Sequence, residues 1–277
     1  MGKWIRRVIM LVLLAVFLYS AGTVAVILYQ YHVTDELYAD IASQYTGQGG
    51  GSSAQDTEKD EQEPAGAGAD NSSDTRREVA PITVDFEGLR AANEDVTGWI
   101  YCEDTPINYP VVHGEDNDYY LRHSYDGADS ASGSIFVEAE NRTDFQDANT
   151  IIYGHHMKNG SMFASLDQWA DQEYYESHSV MWLLTPKQDY KIILFSGYTT
   201  AAGSDSYMIF SDACEELDAY LAKCQAMSDF RADVEPDGEA RYVLLSTCAY
   251  VFDNARYVLH GMLVPVDSAG GEPFSQQ

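Results

Sequence analysis

The chain has 277 residues, enough for one medium domain with attachments, and its 45% hydrophobic and 12% aromatic content rules out wholesale disorder. A formal charge of -28, from 16 Lys and Arg against 44 Asp and Glu, excludes a nucleic-acid partner, because phosphates need cationic contacts. Four cysteines without a C-x-x-C pair are too few for a disulfide framework and give no support to a structural zinc site.

Lys3, Arg6 and Arg7 are the only charged residues of 1–34, so the remainder carries -31. Residues 8–29 form an uncharged run of 22, mostly Val, Leu, Ile, Ala and Phe. As a helix such a run is roughly 33 Å long, close to the ~30 Å hydrocarbon core of a bilayer. Three bases precede it, and Asp35, Glu36 and Asp40 follow it. The positive-inside rule then puts the N-terminus in the cytoplasm and everything beyond residue 31 outside. The rival is a cleaved signal peptide ending near Ser20-Ala21-Gly22, but the apolar run continues through Val24-Ala25-Val26-Ile27-Leu28.

Residues 45–80 read as a stalk rich in Gly, Ser and acid, with almost no apolar residue larger than Ala. Such a segment cannot offset its ordering entropy by burial and is expected to be flexible. From Pro81 the composition turns globular. Residues 86–93 suggest a short helix. Short β-rich runs follow at 99–101, 109–113, 134–137, 150–153, 180–184, 190–198, 241–247 and 256–264. Gly, Pro, Asn and Asp clusters separate them, as in an all-β barrel or sandwich. Two helices are expected among them. Ser161 caps one that runs to Trp169, and the other spans 211–227, where Leu217, Tyr220, Leu221 and Cys224 recur at helical spacing. The expected division is therefore a cytoplasmic 1–7, an anchor 8–31, a juxtamembrane and stalk region 32–80, a folded domain 81–267 and a tail 268–277.

Cys248 ends the β-type run Tyr242-Val243-Leu244-Leu245-Ser246-Thr247. A strand end holds a side chain firmly while leaving it accessible, as a nucleophile requires. A buried, inert thiol is the commoner use of a free cysteine, and Cys248 stands out only beside two other features. Tyr153-Gly154-His155-His156 follows the apolar run Thr150-Ile151-Ile152. An imidazole there can return a proton to a leaving amine, although a strand-end histidine is often merely structural and paired histidines can also bind metal. No third metal ligand is evident from spacing. Arg256 lies eight residues after Cys248, across a turn-rich segment containing Asp253-Asn254. A hairpin of that size brings it beside Cys248, where its forked donors suit an oxyanion or peptide carbonyl; a surface pair with Asp253 is the alternative.

Taken together, Ile152-Tyr153-Gly154-His155-His156, Leu245-Ser246-Thr247-Cys248, and Asp253-Asn254-Ala255-Arg256-Tyr257-Val258-Leu259-His260-Gly261 resemble the motifs of class B sortases. Ile107-Asn108-Tyr109-Pro110-Val111-Val112 does so as well, and the resemblance covers residues 84–266. The helical region between the strands at 190–198 and 241–247 is a class B trait. The resemblance implies a mainly β fold, an eight-stranded sortase-type barrel with an N-terminal helix and a helical insertion between two late strands, preceded by one transmembrane helix. It implies a membrane-anchored cysteine transpeptidase of the Gram-positive cell wall, with Cys248 as nucleophile, His155 as general acid/base and Arg256 as oxyanion or substrate-positioning cation. His155 rather than His156 follows Gly in the family motif. By motif position Ser246, Thr247, Asn108 and Tyr153 contribute to substrate binding.

The implied partners are surface proteins bearing a C-terminal sorting signal and a lipid-linked peptidoglycan precursor, both held at the membrane that the N-terminal helix enters. No cofactor or metal is demanded. Covalent catalysis would divide one difficult amide exchange into two easier steps. A cysteine peptidase would use the same Cys248 and His155, and a tethered adhesion module would leave them incidental. Cys214 and Cys224, ten residues apart on one expected helix, stand roughly 15 Å apart by helical rise, too far for a disulfide. Cys102 is expected in the core.

Overall fold

The chain begins as one long helix, α1 (Lys3–Tyr45), whose residues 8–29 expose their apolar side chains. In the computed structural model the described residues are 2–49, 78–249, 251 and 253–268. The helix is long and apolar enough to cross a membrane. It does not stop at residue 31. Its last turns lie against the folded domain, where Tyr38 and Ile41 are buried. Tyr38 Oη donates to the Gly133 carbonyl at 2.7 Å, and its ring meets that of Tyr109 edge-on at 5.3 Å. Asn159 Nδ2 donates to Asp35 at 2.7 Å.

After α1, strand β1 (Thr46–Gln48) pairs antiparallel with β2 (Ile82–Val84), and the Gly49 N–H donates to the Pro81 carbonyl. The two ends of the expected stalk are thus ordered and meet at one place; residues 50–77, with most of its acid and glycine, lie outside the described residues. Burial of Tyr38 and Ile41 explains why 32–45 continues as helix: its polar residues flank an apolar pair that finds the domain surface.

Helix α2 (Phe86–Ala92) is capped by Asp85, whose carboxylate accepts from the Gly88 N–H, and it buries Leu89. Then come β3 (Val96–Tyr101), β4 (Asn108–His113), β5 (Ile135–Val137) and β6 (Asn149–Tyr153). A 3₁₀ turn at Ala164–Ala170 and helix α3 (Gln172–Ser177) lead to β7 (Val180–Leu184) and β8 (Asp189–Ala201). Helix α4 (Glu215–Met227) precedes β9 (Arg241–Cys248) and β10 (Ala255–Val266). Strands β3 to β10 close an eight-stranded barrel in the order β10-β8-β7-β3-β4-β5-β6-β9. The expected mainly β architecture and its helical insertion are therefore present. The β4–β5 and β6–β9 pairs are parallel and the other six antiparallel.

Two apolar clusters follow from strand alternation. Val243, Leu245, Tyr257 and Leu259 fill the barrel interior. Tyr242, Leu244 and Val258 face outward and are covered by Leu217, Tyr220, Leu221 and Cys224, the face of α4 that the sequence spacing marks out. The helix starts at Glu215, later than expected, because Phe210 and Ser211 instead accept backbone hydrogen bonds from Asn149 and Ala148 at the start of β6. The helix expected from Ser161 is a 3₁₀ turn starting at Ala164; Ser161 bonds Asn159, and Met162 bridges to His156. Helix α3 has a signal that the strand and helix patterns overlook: Asp171 caps it by accepting from the Tyr174 N–H at 3.0 Å.

Candidate active site

Antiparallel pairing of β9 with β10 sets Cys248 directly opposite Arg256. Side chains so opposed have Cβ atoms about 4.5–5.5 Å apart. Just before β10, Asn254 takes a positive φ of 60°, a conformation that asparagine tolerates. The Arg256 guanidinium donates to the Ala255 carbonyl at 3.0 Å and, among the described residues, makes no ion pair with Asp253.

The second approach is parallel. Tyr153 of β6 stands in register with Ser246 of β9, and the Gly154 N–H donates to the Ser246 carbonyl at 3.0 Å. Gly154-His155 and Thr247-Cys248 therefore leave the ladder side by side. A Cβ on Gly154 would stand 2.5 Å from Ile135 and 2.7 Å from Phe163, so close packing demands glycine here. The His155 ring bonds the Leu121 carbonyl through Nε2 at 2.8 Å. A carbonyl only accepts, so Nε2 carries the proton and Nδ1 is the nitrogen left to exchange one. His156 instead meets the exposed Asp167 carboxylate at 3.2 Å.

Alternation sorts the remaining residues. Ser246 and Cys248 share the outer face of β9, and Ser246 Oγ bonds the Tyr207 hydroxyl at 2.8 Å. Thr247 points the other way; it is buried, and its hydroxyl has no partner among the described residues. Asn108 is three strands around the barrel from Cys248, accepts from Trp99 Nε1 at 2.7 Å and lines a recess against Asp35 and Tyr38 of α1. Cys248, Arg256, Tyr153 and Ser246 are thus brought to one end of the barrel with the His155 segment, whereas Asn108 stands three strands around, against α1, and the Thr247 side chain turns to the opposite face of β9.

Sequence reasoning missed four members of this end. Tyr207 stacks on Tyr153 with ring centroids 6.3 Å apart. Burial pushes the Tyr207 phenol up in pKa, against opposing pulls from the Ser246 hydrogen bond and the nearby Arg256. Tyr153 is raised further by burial and then by the Glu138 carboxylate, to which its hydroxyl donates at 2.7 Å. Asn117 and the Leu121 carbonyl come from the long β4–β5 connection. None of the four lies within a motif, so only the folded chain brings them in.

The cysteines differ as their surroundings do. Cys102 is buried, its Sγ reaches the Val180 carbonyl at 3.6 Å, and burial pushes its thiol up to about 12. Cys224 is also buried, with its pKa raised by that burial, and Cys214 is exposed at the start of α4; neither forms a disulfide. Cys248 is half-exposed, at a strand end beside a fixed cation. Among the described residues no cluster of His, Cys, Asp and Glu could hold a metal ion.

No family model matches the sequence. Sortase B of Listeria monocytogenes is 31% identical over 95% of this chain and 98% of its own. The crystal structure of Bacillus anthracis sortase B in complex with AAEK1 matches with a TM-score of 0.67 and 31% identity, over 86% of this chain and 99% of that one. A Staphylococcus aureus sortase B–substrate complex matches with a TM-score of 0.62 and 30% identity, over 66% of this chain and 85% of that one.

Proposed function

The chain belongs to the sortase B family of cysteine transpeptidases, and from that premise we propose that Cys248, His155 and Arg256 carry out transfer of a sorting-signal peptide to an amine. The observation that carries this reading is the strand register: Cys248 faces Arg256 across β9–β10, and His155 follows the parallel β6–β9 pair.

The Cys248 thiolate attacks the carbonyl carbon of a threonine in the sorting signal. The electron pair moves to the oxygen, which the Arg256 guanidinium stabilises by directed hydrogen bonds. The tetrahedral adduct collapses, and His155, protonated on both nitrogens beside the thiolate, gives its Nδ1 proton to the departing amine while Nε2 keeps the Leu121 carbonyl. The acyl group is then a thioester on Cys248. An amine of a peptidoglycan precursor attacks that carbonyl, His155 takes up the proton, and the thiolate leaves. Tyr153 and Ser246 line the groove for the peptide. Tyr207 walls it from the α4 side.

The same reading orients the chain. Residues 8–31 cross the membrane with Lys3, Arg6 and Arg7 in the cytoplasm, and residues 81–267 form the catalytic domain outside. Surface proteins bearing sorting signals and a lipid-linked precursor would meet at one membrane, which raises their effective concentration.

The test uses the full-length protein in detergent with a library of sorting peptides, with and without an added amine. Cleavage after threonine, an acyl-enzyme on Cys248 and amine-bearing product are expected. Cleavage with water as acceptor, whatever amine is present, would instead make the protein a peptidase. Protease added outside intact cells is expected to cut the acidic domain while residues 1–31 stay in the membrane fraction.

A further inference from the structure

Glu138 follows β5 and is buried, yet none of the steps above uses it. Its carboxylate receives the Tyr153 hydroxyl at 2.7 Å and the Asn117 amide. None of the ion pairs among the described residues involves it. Holding a buried carboxylate with neutral donors is costly, and an apolar residue would fill the same space more cheaply.

What a carboxylate supplies is direction, because it accepts and cannot donate. Tyr153 must therefore point its only hydroxyl proton at Glu138, and its oxygen is left able to accept. Asn117 must turn its NH₂ toward Glu138. Its carbonyl oxygen accordingly faces the Ala139 N–H, from which it accepts at 2.9 Å. One amide hydrogen of Asn117 remains to donate. Tyr153 stands in register with Ser246 and stacks on Tyr207, so this polarity is set at the rim where Cys248 lies.

We propose that Glu138 is a positioning residue that fixes the hydrogen-bond polarity of the peptide groove, so that Tyr153 accepts from a substrate backbone N–H and Asn117 donates to a substrate backbone C=O. The inference rests on the sorting-peptide reading and names how that peptide is recognised. Glu138→Gln is close in shape, but its amide both donates and accepts. Tyr153 could then turn over, and the Asn117 amide would be held only by the Ala139 N–H.

The probe is a set of sorting peptides in which each backbone amide upstream of the scissile bond is replaced in turn by an ester, which removes one N–H. With the full-length wild-type protein, one such ester is expected to raise KM by about tenfold, with kcat little changed, since a site built around a donor rejects the analogue lacking it. In Glu138→Gln the amide peptide should show the raised KM and the amide-to-ester ratio should fall to near one. The pH profile of Cys248 alkylation by iodoacetamide should stay as in wild type. Should the Gln variant fail to fold, Tyr153→Phe must show the same loss of discrimination. Wild-type indifference to every ester, or a Gln or Phe variant that keeps the wild-type ratio, overturns the inference. A shift in the alkylation profile overturns it too, by placing Glu138 in the chemistry of Cys248. Failure of the wild-type protein to cleave the all-amide peptide would instead remove the functional reading on which it rests.

Discussion

Along β9 the residues Val243, Leu245 and Thr247 face the inside of the barrel, whereas Tyr242, Leu244, Ser246 and Cys248 face outward toward α4. The inner face stays buried to its last residue. The outer face changes character along its length. Tyr242 and Leu244 are sealed beneath Leu217, Tyr220 and Leu221, but Ser246 meets a tyrosine hydroxyl and Cys248 is half-exposed. One strand thus anchors the core with one set of side chains and presents a thiol with the other. The thiol becomes accessible where the apolar cover of α4 gives out.

That contrast is broken most directly at the thiol. Cys248→Ala is expected to reduce cleavage and transfer below detection while leaving the melting temperature close to wild type, because the side chain closes no core layer. Leu245→Ala, three residues back on the inner face, should do the reverse. It keeps the thiol but opens a cavity in a fully buried layer, at a cost of about 2–5 kcal/mol. Thermal denaturation and peptide turnover on both variants check the pair. Equal stability losses would show that the two faces do not divide the work.

The next effect sharpens the comparison at the neighbouring strand end. His155→Ala should slow acylation by about 10²–10⁴, the usual worth of a positioned acid/base. His156→Ala should retain most of the rate, since that ring is engaged with Asp167. Single-turnover acylation of each purified variant reads the difference, and the opposite ranking would move the acid/base by one residue.

A smaller effect distinguishes direction from charge at Arg256. Lysine keeps the charge and loses the planar fork of donors. Arg256→Lys is expected to acylate at least about tenfold more slowly than wild type and Arg256→Ala about 10²–10³-fold, the scale of a lost oxyanion donor. Near-full activity in the Lys variant would reduce Arg256 to a source of local field.

The sequence displayed the strands and the candidate triad because both leave local marks. Alternation and apolar runs locate all eight barrel strands to within a few residues, and the eight-residue spacing of Cys248 and Arg256 matches a hairpin. What stayed hidden depends on distant pairing. Asn108 sits in a motif, but Trp99 and α1 occupy its surroundings, three strands away from the thiol. Thr247 adjoins Cys248 in sequence, and the period of two turns it to the other face. Tyr207, Asn117 and Glu138 belong to connections whose composition carries no period, and they reach the site only through tertiary contacts. The start of α1's docked portion was masked in the same way. Its charged residues read as a juxtamembrane segment, and a buried face of Thr34, Tyr38 and Ile41 is too sparse to stand out among them.

The smallest expected effect lies in the outer cluster itself and is read through pH. His260 is buried on the α4 side of β10, and its ring lies among those of Phe195, Tyr198 and Tyr220. Among the described residues its ring bonds the Tyr198 hydroxyl at 3.2 Å and takes part in no ion pair. Burial lowers its pKa from 6.5 to about 3, so the folded protein keeps the ring neutral. The unfolded chain binds a proton near its ordinary pKa, and the folded chain does not until far lower pH. Between about 6.5 and 3 the unfolded state therefore holds more protons, and stability falls as pH falls. The full slope is about 1.4 kcal/mol per pH unit, so His260 should cost roughly 2 kcal/mol at pH 5 relative to pH 7. Asp189 and Asp229, both raised by burial, contribute in the opposite sense, since their protonation favours the folded state as pH falls. Their share cancels in a comparison of wild type with His260→Phe, which has no group to protonate in that cluster. Urea denaturation of both proteins at pH 7, 6 and 5 should give curves that converge as pH falls or cross, with the wild type losing more stability per unit. Parallel curves would show that acid reaches His260 through local opening of α4, and that the outer cluster is less firmly closed than the barrel interior.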